Sequence, residues 1–331
     1  MSNTVLVTGA AGFVGSHLTR ALLERGAAVV ALDLADRLPQ FVTNGLDSPP
    51  VTYIVGDVSD SHQIASAVLQ FGVTDIVHTA ASLAEPESIL RPRHFLKVNA
   101  ESVWALCDIA RSLPIRRLVA VSTRSVYGTH SPEGGPVNEE ASPRPVAFYG
   151  ASKAAADIVA VQYAKHFDLD LVIPRVTGAY GPHQSYPQFL SDMIDAAVRG
   201  EAFHRDVGGD SQTEVTYVKD IVRGLLALLD AATLRHTIYN VGSGMQVSLS
   251  ELAHIVQTFV PEADIEIGPG LDPAAAPRAL MSVERMRADT GFATAWSLEQ
   301  GIGEFVAWRR TGAYGRPISN PPDVRGRCHC G

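Results

Sequence analysis

The sequence predicts an α/β protein: a doubly wound parallel sheet with a smaller C-terminal α/β lobe. Short β-branched runs alternate with helical stretches through the first 125 residues. The runs are apolar on both faces, as strands covered by helices on each side require, and a glycine-rich turn joins the first run to the first helix.

The strands are expected at Thr4 to Thr8, Ala28 to Asp33, Val51 to Val55, Asp75 to His78 and Arg117 to Ser122. Between them, Val14 to Arg25, Ser61 to Phe71 and roughly Ile89 to Ser112 carry helical periodicity, with Asp60-Ser61 as an N-cap for the second. A long helix, Gly150 to His166, leads into a strand at Asp170 to Pro174. Pro, Gly and polar residues thicken at Gly178 to Tyr186 and Asp206 to Gln212, which reads as loops. Residues 1–175, with returning segments near 213–242, form the expected sheet domain; 176–212 and 243–312 form the lobe. The segment 313–331 reads as a flexible tail, proline-bearing from Arg316 onward.

Of 331 residues, 46% are hydrophobic and 19% charged, ample apolar material for the core of a globular chain. The net charge of −8 comes from scattered acidic residues and leaves no basic stripe to track a phosphate backbone, so no nucleic acid partner is expected. No apolar run approaches the roughly 18 residues of a membrane span. The N-terminus enters an apolar strand by Val5 without a basic segment or cleavage pattern. Cys107, Cys328 and Cys330 are too few and too uneven for a disulfide framework, which suits the reducing cytoplasm. Cys328-His329-Cys330 is half a metal site at most, and no second cluster completes it, so no metal is expected.

Thr8-Gly9-Ala10-Ala11-Gly12-Phe13-Val14-Gly15 follows the first strand and opens the first helix. Gly9 suits the tight turn, Gly12 lets backbone N–H groups approach a pyrophosphate, and Gly15 lets the helix press on the strand. Glycine triplets also occur in ordinary turns, but here a second strand ends in Asp33, about 20 residues on. A carboxylate there accepts both ribose hydroxyls of an adenosine and repels a 2′-phosphate, which favours NAD over NADP. Arg37, four residues later, is the counter-signal, since it can hold such a phosphate. Asp33 can also be a plain capping or surface carboxylate. Gly56-Asp57-Val58 is a candidate adenine contact or a common turn.

Tyr149-Gly150-Ala151-Ser152-Lys153 sets a phenol and an amine four residues apart, one above the other on a helix face. A free tyrosine titrates near about 10; an adjacent ammonium and a positive nicotinamide ring both favour its phenolate. Tyr149 is then expected to take a hydroxyl proton while hydride leaves for the cofactor, with Lys153 also bonding the nicotinamide ribose. The same spacing occurs on ordinary surface helices. Thr123 supports the functional reading, because it closes a strand and ligands of open parallel sheets bind outside the carboxyl ends. Its hydroxyl can bond the oxygen undergoing oxidation, or merely satisfy a strand end.

Further pieces run in one order through the chain: His78-Thr79-Ala80-Ala81, Ser122-Thr123-x-Ser125-Val126-Tyr127-Gly128, Pro174-Arg175, Tyr180-Gly181-Pro182, Tyr217-Val218-x-Asp220 and Tyr239-Asn240-Val241-Gly242-Ser243-Gly244. With the glycine loop, Asp33, Asp57-Val58, Asn99 and Tyr149-x-x-x-Lys153, they make the sequence resemble the extended short-chain dehydrogenase/reductase family, in its NAD-dependent sugar epimerase/dehydratase branch. The resemblance implies a Rossmann domain with a smaller substrate lobe, and Thr123, Tyr149 and Lys153 as the catalytic trio. It implies NAD contacts at Gly9, Ala11, Gly12, Phe13, Val14, Gly15, Asp33, Asp57, Val58, Ala80, Ala81, Asn99, Ser122, Tyr149, Lys153, Pro174 and Val176. Substrate contacts are implied at Ser125, Arg175, Gly178 and Arg278. It also implies a homodimer built on a four-helix bundle from the helices near 89–112 and 150–166, although Val103, Leu106, Ile158 and Val161 there equally suit an intramolecular core.

The chain departs from the family pattern in places. Nucleotide-sugar 4,6-dehydratases carry an Asp-Glu pair after the catalytic threonine, where this chain has Arg124 and Ser125, so dehydration is disfavoured. Two usual nucleoside-diphosphate anchors, an Asn and an Arg, are here Gly178 and Thr213. Arg278, Arg175 and Arg205 can still clamp a diphosphate, or each can be a surface charge. Gly181 to Pro187, with His183, Gln184 and Tyr186, is a substrate-facing loop without assigned roles. The expected function is therefore reversible oxidation of a secondary hydroxyl on a sugar or sugar derivative, as in a nucleotide-sugar 4-epimerase. The alternative is a dehydrogenase of a free sugar, sugar acid or other small alcohol. A third reading, a non-catalytic NAD-binding regulator, has the intact trio against it.

Overall fold

The computed structural model describes residues 3–83, 85–129, 135–273 and 280–312. β1 (Thr4–Thr8), α1 (Phe13–Glu24), β2 (Ala28–Asp33), β3 (Val51–Val55), α2 (Ser61–Phe71) and β4 (Asp75–His78) fall at or within a residue of the predicted bounds. The predicted cap of α2 is present: Asp60 accepts from the N–H groups of His62 and Gln63 at 3.1 Å each.

The helix expected over 89–112 is instead broken. α3 (Glu85–Leu90) and α4 (Pro92–Leu96) are separate, a π-turn covers Lys97–Glu101, and α5 (Ser102–Ser112) resumes. Pro92 is the reason for the first break. It has no N–H for a helical bond and forces Arg91 out of the α region, to φ −134° and ψ 54°.

The strand expected over 117–122 is likewise divided, into β5 (Arg117–Ala120) and β6 (Ser122–Thr123). Between them the Val121 carbonyl accepts a side-chain bond from Lys153. After α6 (Phe148–Phe167), β7 (Leu171–Val176) runs two residues past its predicted end. The segment Gly178 to Tyr180, expected as loop, is β8 (Gly178–Tyr180), because its backbone finds a parallel partner far along the chain.

The rest comprises α7 (Phe189–Arg199), β9 (Phe203–Arg205), β10 (Gln212–Thr213), β11 (Val215–Tyr217), α8 (Val218–Asp230), β12 (Ile238–Val241), β13 (Val247–Ser248), α9 (Leu249–Phe259), β14 (Ile265–Ile267), α10 (Glu284–Thr290) and α11 (Leu298–Arg310). The main sheet runs β3-β2-β1-β4-β5-β7-β12, with β6 also on β7 and every pairing parallel. Strand order reverses beside β1, since β2 lies on one side and β4 on the other, so a ligand crevice opens at the carboxyl ends there. Three two-stranded pairs, β8 with β11, β9 with β14 and β10 with β13, lie outside this sheet.

Side chains of the strands alternate between two cores. Val5, Val7, Val29, Val77 and Val119 pack with Leu18, Leu22, Leu225 and Leu228 of α1 and α8. Leu6, Val30, Leu32, Ile76 and Leu118 pack with Ile64, Leu106, Ala156 and Ala160 of α2, α5 and α6. The sheet is therefore covered on both sides, which explains why its strands carry no polar face. Val103 and Leu106 belong to this intramolecular core, whereas Ile158 is 55% exposed. No helix among the described residues is long and apolar enough to cross a membrane. The tail 313–331, with Cys328-His329-Cys330, lies outside the described residues.

Arg117 joins the sheet to α8 at the end opposite the crevice. Its guanidinium, 1% exposed, forks onto both carboxylate oxygens of Asp170 at 2.8 Å and donates to the carbonyls of Leu228 at 2.8 Å and Ala231 at 2.6 Å. Replacing Arg117 by Ala strands the carbonyl acceptors while the Asp170 carboxylate, 43% exposed, returns to water; unfolding in urea is expected to show a loss of roughly 1–3 kcal/mol. Lys at this position should recover little of it, lacking the planar fork.

Candidate functional site

The glycine loop is held by backbone contacts that admit no side chain. Gly9 has φ +70°, and a Cβ there would sit 2.6 Å from the Ala80 backbone; at Gly15 it would sit 2.0 Å from the Gly9 carbonyl oxygen. Gly12 is exposed at an ordinary φ of −70°, with its N–H on the Gly9 carbonyl at 3.0 Å. The Ala10 N–H goes to Leu32 O at 3.2 Å and the Ala11 N–H to Asp33 Oδ2 at 2.9 Å. Next come Phe13, Val14 and Gly15, the first turn of α1, whose N–H groups have no intrahelical acceptor. Positive dipole and free donors together make this turn an anion seat.

Asp33 is therefore tied to the loop directly: its other oxygen accepts from Ala35 N at 3.0 Å, so the carboxylate is aimed at the end of β2. Asp57 is exposed at the end of β3 and accepts from Ser59 N at 2.8 Å, a bond that lowers its pKa below the usual carboxylate range. Val58 beside it is buried. Ala80 and Ala81 remain partly exposed beyond β4. These residues line the crevice around the switch point.

On the other side of the switch point stand Thr123, Tyr149 and Lys153. Thr123, which ends β6, accepts the Ser125 N–H on its Oγ1 at 3.2 Å. That bond occupies a lone pair and leaves the hydroxyl proton for an outside acceptor. Gly150 lets the first turn of α6 press on this segment, because a Cβ there would lie 2.6 Å from Ser125 O. Tyr149 is thereby held half-buried at the mouth of the crevice. One turn below, Lys153 is buried and donates to Val121 O at 2.6 Å. Burial pushes its pKa down to about 8, against the opposing pull of Asp157. Asp157 is a further turn along α6, a residue missed in the sequence although its i+4 spacing from Lys153 signals it.

Arg175, expected at the substrate, is 2% exposed: its Nε donates to Asp157 at 2.9 Å and its guanidinium lies 4.7 Å from the centre of the Tyr127 ring. It supports α6 from behind, an outcome invisible in the sequence because the partner is on another element. Ser122 is buried beside it and Pro174 is buried within β7, while Val176 pairs with Thr123. Asn99 is fully buried on the π-turn, accepting from Ser82 N at 2.8 Å and donating to Ser82 O and Ser152 Oγ at 3.0 Å each. Its amide is spent on holding the segment after β4 against α6. His78 is sandwiched between Thr8 Oγ1 at 2.7 Å and Ser102 Oγ at 3.3 Å; burial lowers its pKa to about 3, so it stays neutral beside Lys153.

The loop after β8 is clamped from three elements. His17 on α1 meets Pro182 O at 2.8 Å, His183 stacks on Phe41 with ring centres 3.7 Å apart, and Trp308 lies 4.8 Å from His183. His183 takes φ +67°, which a non-glycine residue holds only under surrounding constraint. Tyr186 packs edge-on to Phe13 at 5.9 Å. Gly178 is partly exposed, and a Cβ placed on it would meet nothing nearer than Glu214 O at 3.5 Å, an ordinary contact, so the position is not closed to a side chain by its backbone surroundings. Arg205 lies over Phe189 and 3.6 Å from Asp272. Arg278 falls outside the described residues.

A model of the NAD dependent epimerase/dehydratase family matches residues 5–242. The chain is 29% identical to dTDP-glucose 4,6-dehydratase of Streptomyces niveus, covering 97% of each. It is 28% identical to UDP-glucuronate 4-epimerase 5 of Arabidopsis thaliana, over 92% of this chain and 75% of that protein. Among solved structures it resembles the UDP-glucose 4-epimerase of Thermus thermophilus in complex with NAD, at TM-score 0.80 and 27% identity, over 94% of this chain and 100% of that one.

The loop geometry separates two glycines experimentally. Gly9→Ala combines a forbidden φ with a backbone collision, so dinucleotide affinity should fall on the order of 100-fold as the donors are displaced. Gly12→Ala keeps an allowed φ and brings its Cβ to 3.1 Å from the Gly9 carbonyl oxygen, so its melting temperature should fall less than that of Gly9→Ala. Calorimetric titration with NAD and a thermal melt of each variant check both.

Proposed function

The chain belongs to the NAD-dependent epimerase/dehydratase family, and from that premise we propose that it is a nucleotide-sugar 4-epimerase-like enzyme, acting on a secondary hydroxyl of the sugar. The observation that carries the reading is the buried Lys153 ammonium, anchored on Val121 O beneath Tyr149 and beside Thr123. Such a placement has a chemical use: it stabilises a phenolate next to a hydroxyl donor.

The glycine loop and Asp33 fit a dinucleotide, because the loop's close backbone approach and the fixed carboxylate leave the α1 donors facing the crevice. NAD, when bound, supplies a hydride acceptor and later a hydride donor. Phe13, Val14 and Gly15 would hold its pyrophosphate and Asp33 its adenosine ribose, with Asp57-Val58 near the adenine. Thr123 donates its hydroxyl proton to the substrate oxygen and fixes its position. Tyr149 removes the proton from that oxygen, then returns it after the sugar has presented its other face. Lys153 keeps the phenolate available and has donors to spare for a ribose.

We assign the protein to the cytoplasm, acting on a small molecule with neither nucleic acid nor membrane as partner. We also propose a homodimer in which α5 and α6 pair with their copies, Ile158 being one of the exposed apolar residues of α6. A second reading, oxidation of a free sugar or sugar acid with release of NADH, draws on Gly178 and Thr213, which lack the functional groups of the usual diphosphate anchors.

Protein carrying NAD is expected to interconvert C4 epimers of a nucleotide sugar without net NADH; steady growth of the NADH absorbance with a free sugar would establish the dehydrogenase reading instead. Tyr149→Phe should lower kcat by on the order of 10³-fold while NAD affinity is kept, since general acid/base contributions are of that size. Lys153 is charged below about pH 8 and neutral above it, so kcat/KM should fall as pH rises through that value. A pH profile of kcat/KM without an alkaline limb near 8 would remove Lys153 from this role.

A further inference from the structure

Residues 181–188 cross from β8 to α7, and both ends of the crossing are fixed. β8 is paired with β11, and the Gln188 N–H donates to Ser191 Oγ at 2.8 Å in the cap of α7. Between these ends the segment is laid against α1. Tyr186 meets Phe13 edge-on with ring centres 5.9 Å apart, and His17, one turn further along the same face, donates from Nε2 to Pro182 O at 2.8 Å. Phe13 opens the turn whose unpaired N–H groups make the anion seat. Burial, and then the nearby Tyr149 oxygen, hold the Tyr186 phenol above its usual range, so this one side chain stands close to Phe13 on one side and to Tyr149 on the other.

The outer fastening is His183. Its ring stacks on Phe41, between β2 and β3, with centres 3.7 Å apart and 16° between planes, and Trp308 of α11 flanks it at 4.8 Å. Its φ of +67° is unfavourable for a residue with a side chain, so the ring contacts have to offset a backbone strain. Burial lowers the pKa of His183 to about 4 and also lowers that of His17, which keeps both rings uncharged at neutral pH. Such a fastening is separable, because losing one stack also releases the strain. Loops that close over a site hold its contents through the chemical steps, and a cofactor that is reduced and then reoxidised must not leave between the two. We propose that residues 181–188 form a strap over the cofactor site, latched by the stacking of His183 on Phe41, and that this latch sets how slowly NAD leaves. Resting on the assignment of NAD to the glycine loop, the strap acts in the same way whichever sugar is turned over.

The test contains no sugar. Protein loaded with NADH is mixed with excess NAD, and the decay of bound NADH fluorescence gives the dissociation rate. His183→Gly removes the ring but suits the positive φ, so it unlatches the segment without a backbone penalty; Phe41→Ala removes the other half of the stack. Each is expected to speed release by about three- to tenfold, the range one stacked pair is worth. The double variant should release no faster than the quicker single, because one latch is broken only once. Thermal melts report the fold, and a merely structural role would lower them without changing release. Release at the wild-type rate in both single variants, or effects that multiply in the double, overturns the strap. Gly9→Ala separates the two failures: unchanged NAD affinity there overturns the seat on α1 and the strap with it, whereas weakened binding there, with unchanged release from the His183 and Phe41 variants, overturns the strap alone.

Discussion

The hydrogen bond from the Lys153 ammonium to the Val121 carbonyl organises the rest of the site. It takes a backbone acceptor at the junction of β5 and β6, where the strand is divided, and fastens α6 to the carboxyl edge of the sheet. Thr123 lies two residues beyond this acceptor, and Tyr149 lies one turn before Lys153 on α6. A charge buried this deeply is unfavourable unless it is paired. Asp157, one turn further along, supplies the opposite charge; Arg175 bonds Asp157 from behind and is itself stacked over Tyr127. Tyr149 at the crevice is thus the visible end of a column of charged side chains that runs into the interior.

The neutral groups around that column matter as much as the charged ones. His78 is satisfied on both nitrogens and, with its pKa lowered to about 3, adds no second positive charge against Lys153. Asn99 and Ser152 close the other side without a charge at all. The π-turn is what delivers Asn99 there, consistent with the tendency of such turns to occur at functional positions. A regular helix through 97–101 would rotate that amide away from Ser82.

Across the switch point the organising constraint is steric instead. Gly9 and Gly15 bring the loop against β4 and against itself, and Asp33 reaches back to Ala11, so the first turn of α1 is presented as a rigid set of donors. The same helix carries Phe13 and His17, which touch the loop after β8. The glycine-loop donors and the loop after β8 therefore share a helix, and one cannot shift far without the other.

Periodicity and punctuation made most of the sheet domain legible, because strands buried on both faces must be continuously apolar and because glycine, proline and capping carboxylates act locally. Motif spacing likewise placed Thr123, Tyr149, Lys153, the glycine loop and Asp33 in chain order. Sequence reasoning missed the break at Pro92, although its signal is local, and read Gly178 to Tyr180 as loop because its strand partner is some 37 residues away. What the sequence by itself determined is the fold class and the identity of the groups that carry charge and hydroxyls, since those follow from residue type and short-range spacing. Only the tertiary structure decided that Arg175 supports α6, that Asn99 is spent on Ser82, and that Arg124 faces Glu214. Burial and pairing depend on distant segments brought together across the sheet, and no local pattern encodes which partner a buried charge will meet.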